Sequence, residues 1–252
     1  MEMIMMNLNK IIIDLKNTKY ITEDSVLINH MLRCNKRLIT IDGTKGTGKS
    51  TLSKKLLKKI RKSLDSDKKV DLQYLGPKYA YGKQETHSLI KNHILDNDVS
   101  IIERGPMSDF VYLTTRPVTF DGVIKNVEAN DELTKIDVEP TWQNITYQDL
   151  LDYYELPNSL HIILYSSDKE KLMHNLRLRN EKIGKYLNQD EYDNLIKENL
   201  IYQSTINNLY AIKPELKNNV KLYDISKLTY KRLYEEIFKI VIHDDEIISN
   251  LC

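Results

Sequence analysis

An α/β fold built on a doubly wound, parallel, five-stranded sheet with helices on both faces is what this chain predicts, on three observations. Short β-branched runs alternate with stretches of helical apolar spacing between Leu38 and Ile242. A glycine-rich loop joins the first such run to a helix, over Leu38 to Thr51 (LITIDGTKGTGKST). A charged pair, Glu103 and Arg104, directly follows a later buried run, which is where open parallel sheets hold their ligands.

Before the loop, residues 1–37 offer one amphipathic helix, with Val26, Leu27, His30, Met31 and Cys34 toward one face, expected to pack on the outside of the sheet. Leu38, Ile39 and Ile41 make the first strand. Leu52, Leu56, Leu57, Ile60 and Leu64 then recur at helical spacing, so a helix is expected from Ser50 to Leu64, its many lysines on a solvated face. Val70 to Leu75 reads as the second strand, closed by Gly76 and Pro77. A helix over Gln84–Leu95 turns Leu89, Ile90 and Ile94 inward, and Val99 to Ile102 is the third strand. Leu160–Tyr165 and Val220–Ile225 are the fourth and fifth. Helices are expected over Lys169–Arg179, Glu191–Ala211 and Tyr230–Ile242, the last with Leu233, Ile237, Ile240 and Val241 inward. The least regular stretch is Thr114–Asn158, broken by Pro117, Gly122, Pro140 and Pro157.

At 252 residues the chain is long enough for one large α/β domain. Lys and Arg total 37 against 36 Asp and Glu, so no global field recruits nucleic acid or an anionic membrane. Cys34 and Cys252 have neither zinc-site nor disulfide spacing, which suits a reducing cytoplasm. Glu2, Asn7, Asn9 and Lys10 interrupt the apolar start before a signal core or membrane span forms, and a soluble protein is expected. The abundance of Ile, Lys, Asn and Tyr is the usage of an AT-rich genome, as in many viruses, phages and microbes.

Gly43, Gly48, Lys49 and Ser50 fit the phosphate-loop pattern G-x-x-x-x-G-K-[ST]. Glycines there let the backbone N–H groups of Gly43, Thr44, Lys45, Gly46, Thr47 and Gly48 approach an anion at the helix N-terminus. Lys49 would reach the outer phosphates, the Ser50 hydroxyl would ligate magnesium, and Thr51 completes the loop. Glu103 is a candidate to hold that magnesium through water, or to take a proton from an acceptor hydroxyl. Arg104 is a candidate phosphate clamp.

The run ERGPMSDFVY, Glu103 to Tyr112, resembles the E/D-R-x-x-x-S-D signature of deoxynucleoside kinases and, more loosely, the D-R-Y-x-x-S signature of thymidylate kinases. Leu176 to Ile196 (LRLRNEKIGKYLNQDEYDNLI) resembles their arginine-bearing lid. The resemblance implies a three-layer P-loop kinase fold over residues 38–252, with residues 1–37 as an N-terminal extension. It implies ATP as phosphate donor, Mg2+ as cofactor, a small nucleoside or nucleotide as acceptor, and a homodimer formed through helices beside the substrate site. By the same resemblance Lys49, Glu103, Arg104, Arg177 and Arg179 are catalytic, and Lys78, Arg104, Ser108, Asp109 and Trp142 are substrate-side residues. Trp142 and Tyr147 fall in a stretch, Pro140 to Tyr154, where these kinases have a helix, and either ring could stack on a base or pack in the core.

One departure matters. Those nucleoside kinases carry a Glu-Pro pair after the second strand, and this chain has Gly76-Pro77. A hydroxyl acceptor benefits from a base, whereas a monophosphate acceptor is already an oxyanion and needs cations. Gly76, with Lys78 and Arg104, tilts the expectation toward a deoxynucleoside monophosphate, while Glu85 or Glu103 could serve as base for a deoxynucleoside. A polynucleotide 5′-kinase would want a basic channel that a net charge of +1 does not supply. A non-catalytic nucleotide-binding module on the same fold is the remaining alternative.

Overall fold

A computed structural model describes residues 25–75, 83–115, 145–182 and 188–243. In chain order the elements are α1 (Ser25–Arg33), β1 (Arg37–Gly43), α2 (Lys49–Ser63), β2 (Val70–Tyr74), α3 (Lys83–Asp96), β3 (Val99–Glu103) and α4 (Pro106–Thr115). There follow α5 (Tyr147–Tyr154), β4 (Ser159–Tyr165), α6 (Lys169–Lys182), α7 (Gln189–Ile212), a 3-10 turn (Pro214–Asn218), β5 (Val220–Asp224) and α8 (Tyr230–His243).

All four strand pairings are parallel and the sheet order is β2-β3-β1-β4-β5. The chain therefore passes from β1 to the edge strand β2, returns to place β3 between them, and then crosses to β4 and β5 on the other side of β1. Beyond the carboxyl ends of β3, β1 and β4 this leaves the crevice of a topological switch point. The glycine loop leaves β1 into that crevice, and Glu103 ends β3 opposite Ile41.

Strand periodicity decides which layer each side chain meets. Ile39 and Ile41 of β1, Ile101 of β3, and Ile162 and Leu164 of β4 pack against Leu52, Leu56 and Ile60 of α2 and Leu233, Ile237 and Val241 of α8. Residues of the opposite parity face the other helices. Leu38 and Ile102 meet α1 and α3, and Ile163 meets the cluster of α4, α5 and α7 around Met107, Val111, Leu150 and Ile206. The parity continues to the strand ends. Glu103 falls on the α2 face and Asp42 on the α4 face.

The helices have local causes. Capping boxes, Thr146 with Asp149 and Asn188 with Glu191, start α5 and α7. Pro106 stands at the first position of α4, where its missing N–H is no loss. That helix was not among the elements expected from the sequence. Cys34 departs from expectation too: α1 ends at Arg33, and Cys34 lies exposed in the turn beyond it while Leu27 and Met31 are buried. Among the described residues no helix is long and apolar enough to cross a membrane.

His161 sits fully buried on β4, sharing hydrogen bonds with the Thr40 hydroxyl (Nδ1, 2.8 Å) and the Ser159 hydroxyl (Nε2, 3.0 Å). Burial holds its pKa down at about 3. Between pH 6.5 and 3 the unfolded chain therefore binds a proton that the folded chain refuses, so this residue removes stability as pH falls. Relative to His161→Gln, the native protein should lose roughly 1.4 kcal/mol per pH unit below about pH 6. Urea titrations of both proteins from pH 7 to pH 4 measure it, and a constant difference between them would refute it.

Candidate functional site

Three glycines of the loop have positive φ, among them Gly43 at 136° and Gly48 at 90°. A Cβ on Gly43 would collide with the backbone carbonyl of Leu164 on the neighbouring strand, so glycine is required there twice over. Gly48 is the N-cap of α2, and its left-handed backbone turns the loop into the helix. Thr47 Oγ1 donates to the Thr44 carbonyl at 2.8 Å, bracing the loop across its mouth. Gly46 lies against Leu172 and Leu176 of α6, which brings that helix onto the loop.

Lys49 is buried, and its ammonium donates to the Thr44 carbonyl at 2.7 Å. Burial, and next the positive charge of Arg104, push its pKa down to about 7, against the opposing pull of Glu103 and Asp42. The charge of Arg179 adds to the lowering. Arg177 and Arg179 are both exposed on α6, and it is Arg179 whose charge is felt at Lys49.

Ser50 Oγ donates to Glu103 Oε1 at 2.6 Å, and Ser53 Oγ donates to Glu103 Oε2 at 3.0 Å. A hydroxyl beside a carboxylate is a hard-oxygen donor pair, the kind Mg2+ takes. No group of three His, Cys, Asp or Glu that could hold a metal occurs among the described residues. An ion at Ser50 and Glu103 would thus complete its shell with phosphate and water oxygens, which is Mg2+ habit and not that of a protein-only cage. The donor set fits.

Arg104 has φ 70°, unusual for a residue with a side chain, and its N–H donates to the Ile41 carbonyl at 3.0 Å. This turn swings its guanidinium over the ring of Tyr74, 5.6 Å from the centroid. Arg104 also lines a cavity of about 140 Å³ beside the loop, with room for a phosphate or part of a sugar. Gly43 and Lys45 form its loop side, Ser108, Val111 and Tyr112 of α4 its floor, and Leu195, Glu198 and Tyr202 of α7 its far wall.

The structure thus gathers Gly43, Thr44, Lys45, Gly46, Thr47, Gly48, Lys49, Ser50, Glu103, Arg104 and Ser108 around one crevice, with Thr51 exposed on α2 beside it. Asp109 turns elsewhere, accepting from Thr86 Oγ1 of α3 at 2.5 Å. Tyr147 is a core residue, buried edge-on against Phe110 with centroids 5.2 Å apart, so the stacking role weighed for it gives way to packing. Gly76, Pro77, Lys78 and Trp142 lie outside the described residues. Sequence reasoning missed Asp42, Glu198 and Tyr202. Asp42 is fully buried one residue before Gly43, and burial, eased by two hydrogen bonds from Ser108, raises its pKa to about 6. Glu198 accepts from Thr44 Oγ1 at 3.1 Å. The available signals were an acid ending an apolar strand, and Glu198 and Tyr202 at i, i+4 on the buried stripe of a helix.

Fold and loop together define a P-loop α/β protein. No family model matches the sequence, and no curated protein matches it either. Among solved structures it is similar to a thymidylate kinase from Ehrlichia chaffeensis, with TM-score 0.41 and 12% identity over 82% of this chain and 98% of that one. It is similar to a thymidylate kinase from Candida albicans at TM-score 0.43 and 14% identity, covering 84% of this chain and 93% of that one. A deoxyadenosine kinase from M. mycoides, with bound dATP, gives TM-score 0.38 and 16% identity over 81% and 98%.

An anion in the loop would favour the charged form of Lys49 and lift its pKa from about 7. Binding tripolyphosphate at pH 8 should therefore take up close to one proton per site. Calorimetry in Tris and in HEPES reads this as different apparent enthalpies for the native protein and equal ones for Lys49→Met; equal enthalpies for both proteins would refute it.

Proposed function

We propose that the protein is a kinase that transfers the γ-phosphoryl group of ATP, with Mg2+, to a deoxynucleoside monophosphate or a deoxynucleoside. The observation that carries the reading is the meeting of Ser50 and Glu103 at 2.6 Å beside Lys49, with a separate polar cavity opening on the same loop. A donor site and an acceptor site then share one crevice, as in-line transfer needs.

In this reading the loop amides from Gly43 to Gly48 hold the donor phosphates at the start of α2. Lys49 leaves the Thr44 carbonyl for a phosphate oxygen and regains full charge. Ser50 and Glu103 would hold Mg2+, which would supply positive charge against the donor phosphates. Both oxygens of Glu103 face α2 hydroxyls, so this residue serves the metal and not the acceptor. Arg104, in the acceptor cavity, and Arg179, within electrostatic reach of Lys49, supply positive charge to the transferring group. Lys45 and Arg104 on the cavity's loop side suit an acceptor with an anionic end, which favours the monophosphate.

An acceptor screen with labelled ATP over the four deoxynucleosides and their 5′-monophosphates tests the reading directly. Lys49→Ala should lower kcat on the best acceptor by about 10³-fold, and Glu103→Gln by about 10²-fold with a raised Mg2+ requirement. Unaltered turnover in Lys49→Ala, or no phosphorylated product from any of the eight acceptors, would overturn it.

A further inference from the structure

Asp42 lies at the carboxyl end of β1, with its side chain on the α4 side of the sheet. Its Oδ1 accepts twice from Ser108, from the backbone N–H at 3.0 Å and from the hydroxyl at 2.5 Å. The Ser108 hydroxyl oxygen in turn accepts from Tyr202 Oη of α7 at 2.8 Å. All three side chains are buried, and Ser108 and Tyr202 line the cavity.

Proton counting fixes the direction of this chain. An ionised carboxylate has no proton to give, so the single proton of Ser108 points to Asp42. The single proton of Tyr202 must then point to Ser108. Only lone pairs remain on the Tyr202 oxygen for the cavity. Glu198, one helical turn earlier on the same wall, is likewise an acceptor when ionised, and its Oε2 already takes the proton of Thr44 Oγ1.

We infer that Asp42 and Ser108 are positioning residues that set the hydrogen-bond polarity of Tyr202, and that Tyr202 determines specificity by requiring an O–H or N–H donor on the acceptor substrate. The inference rests on the kinase reading above and sharpens its acceptor half. Burial raises Asp42 to about 6, so the carboxylate form prevails at neutral pH and is lost as pH falls through 6. The charged and titratable groups that face it are Lys49 of α2, which lowers its pKa, and Tyr154 of α5 and Tyr202 of α7, whose own ionisation it opposes.

The experiment takes the best acceptor of the screen with its sugar O-methyl and base N-methyl analogues. The native protein at pH 7.5 should reject one of these analogues by about 10²-fold or more in kcat/KM, because a methyl replaces the required donor. Tyr202→Phe should lower kcat/KM for the parent acceptor toward that of the analogue, with the KM for ATP changed less than about twofold. Ser108→Ala is the sharper variant: it removes the acceptor of the Tyr202 proton and so lets Tyr202 donate into the cavity. Discrimination should then relax because the methylated analogue improves, an effect that lost packing does not produce. Asp42→Asn, whose amide oxygen can still accept both Ser108 bonds, should keep the native discrimination. If Ser108→Ala does not fold, Tyr202→Phe decides. A native protein that discriminates, with Tyr202→Phe and Ser108→Ala discriminating equally, overturns this inference alone. A native protein that turns over but accepts both analogues as well as the parent also overturns it, while absence of turnover on all acceptors overturns the kinase reading and this inference with it.

Discussion

A lysine ammonium buried at the amino end of a helix is held against two forces. The Lys49 ammonium has lost its water, and it stands where the α2 backbone already presents positive partial charge. A hydrogen bond to the Thr44 carbonyl and the fields of Glu103 and Asp42 offset part of this. The remainder is visible as a pKa near 7, far below an ordinary lysine. The arrangement is poised for an anion: whatever negative group enters the loop meets desolvated N–H donors and a cation that gains by its arrival.

The two carboxylates that face Lys49 are themselves held by the sheet. Glu103 and Asp42 end adjacent parallel strands, and alternation sends them to opposite layers. Glu103 meets the serines of α2, Asp42 the first turn of α4. Each acid is therefore fixed by a helix that also lines the crevice, with Lys49 and Ser50 on α2 and Ser108 on α4. The close passage of Gly43 by the Leu164 carbonyl locks the loop to β4, so the crevice inherits the rigidity of the sheet.

Much of this was legible in the chain. The β-branched runs at Leu38–Ile41, Val99–Ile102 and Leu160–Tyr165 are strands because both faces of a parallel sheet are covered, leaving continuous apolar runs. The loop was legible because glycine, lysine and serine at fixed spacing have few other uses. Strand order was not, since it follows from crossover connections and not from any local pattern. α4 was hidden because a glycine-proline pair is as compatible with a turn as with the start of a helix, where proline stands at the first position. Asp42 was hidden for a different reason: in sequence it is one more charge beside a glycine, and only the approach of Ser108 and Tyr202 from two other helices gives it partners.

Those partners give the cavity a direction. Cationic side chains, Lys45 and Arg104, stand on the loop side, and the α7 wall offers Tyr202 lone pairs and Glu198. Such a gradient acts over the length of a small molecule. An acceptor with an anionic group at one end and a hydrogen-bond donor at the other would be held one way round, its anion toward the loop and Arg104. Reversal would set the anion against Glu198 and leave the Arg104 side without a negative partner. Because Arg104 lines the cavity and its charge also reaches Lys49, that orientation would also bring the molecule's anionic end nearest the phosphate loop. Orientation and proximity then arise from a single charge pattern, set by the ends of β1 and β3.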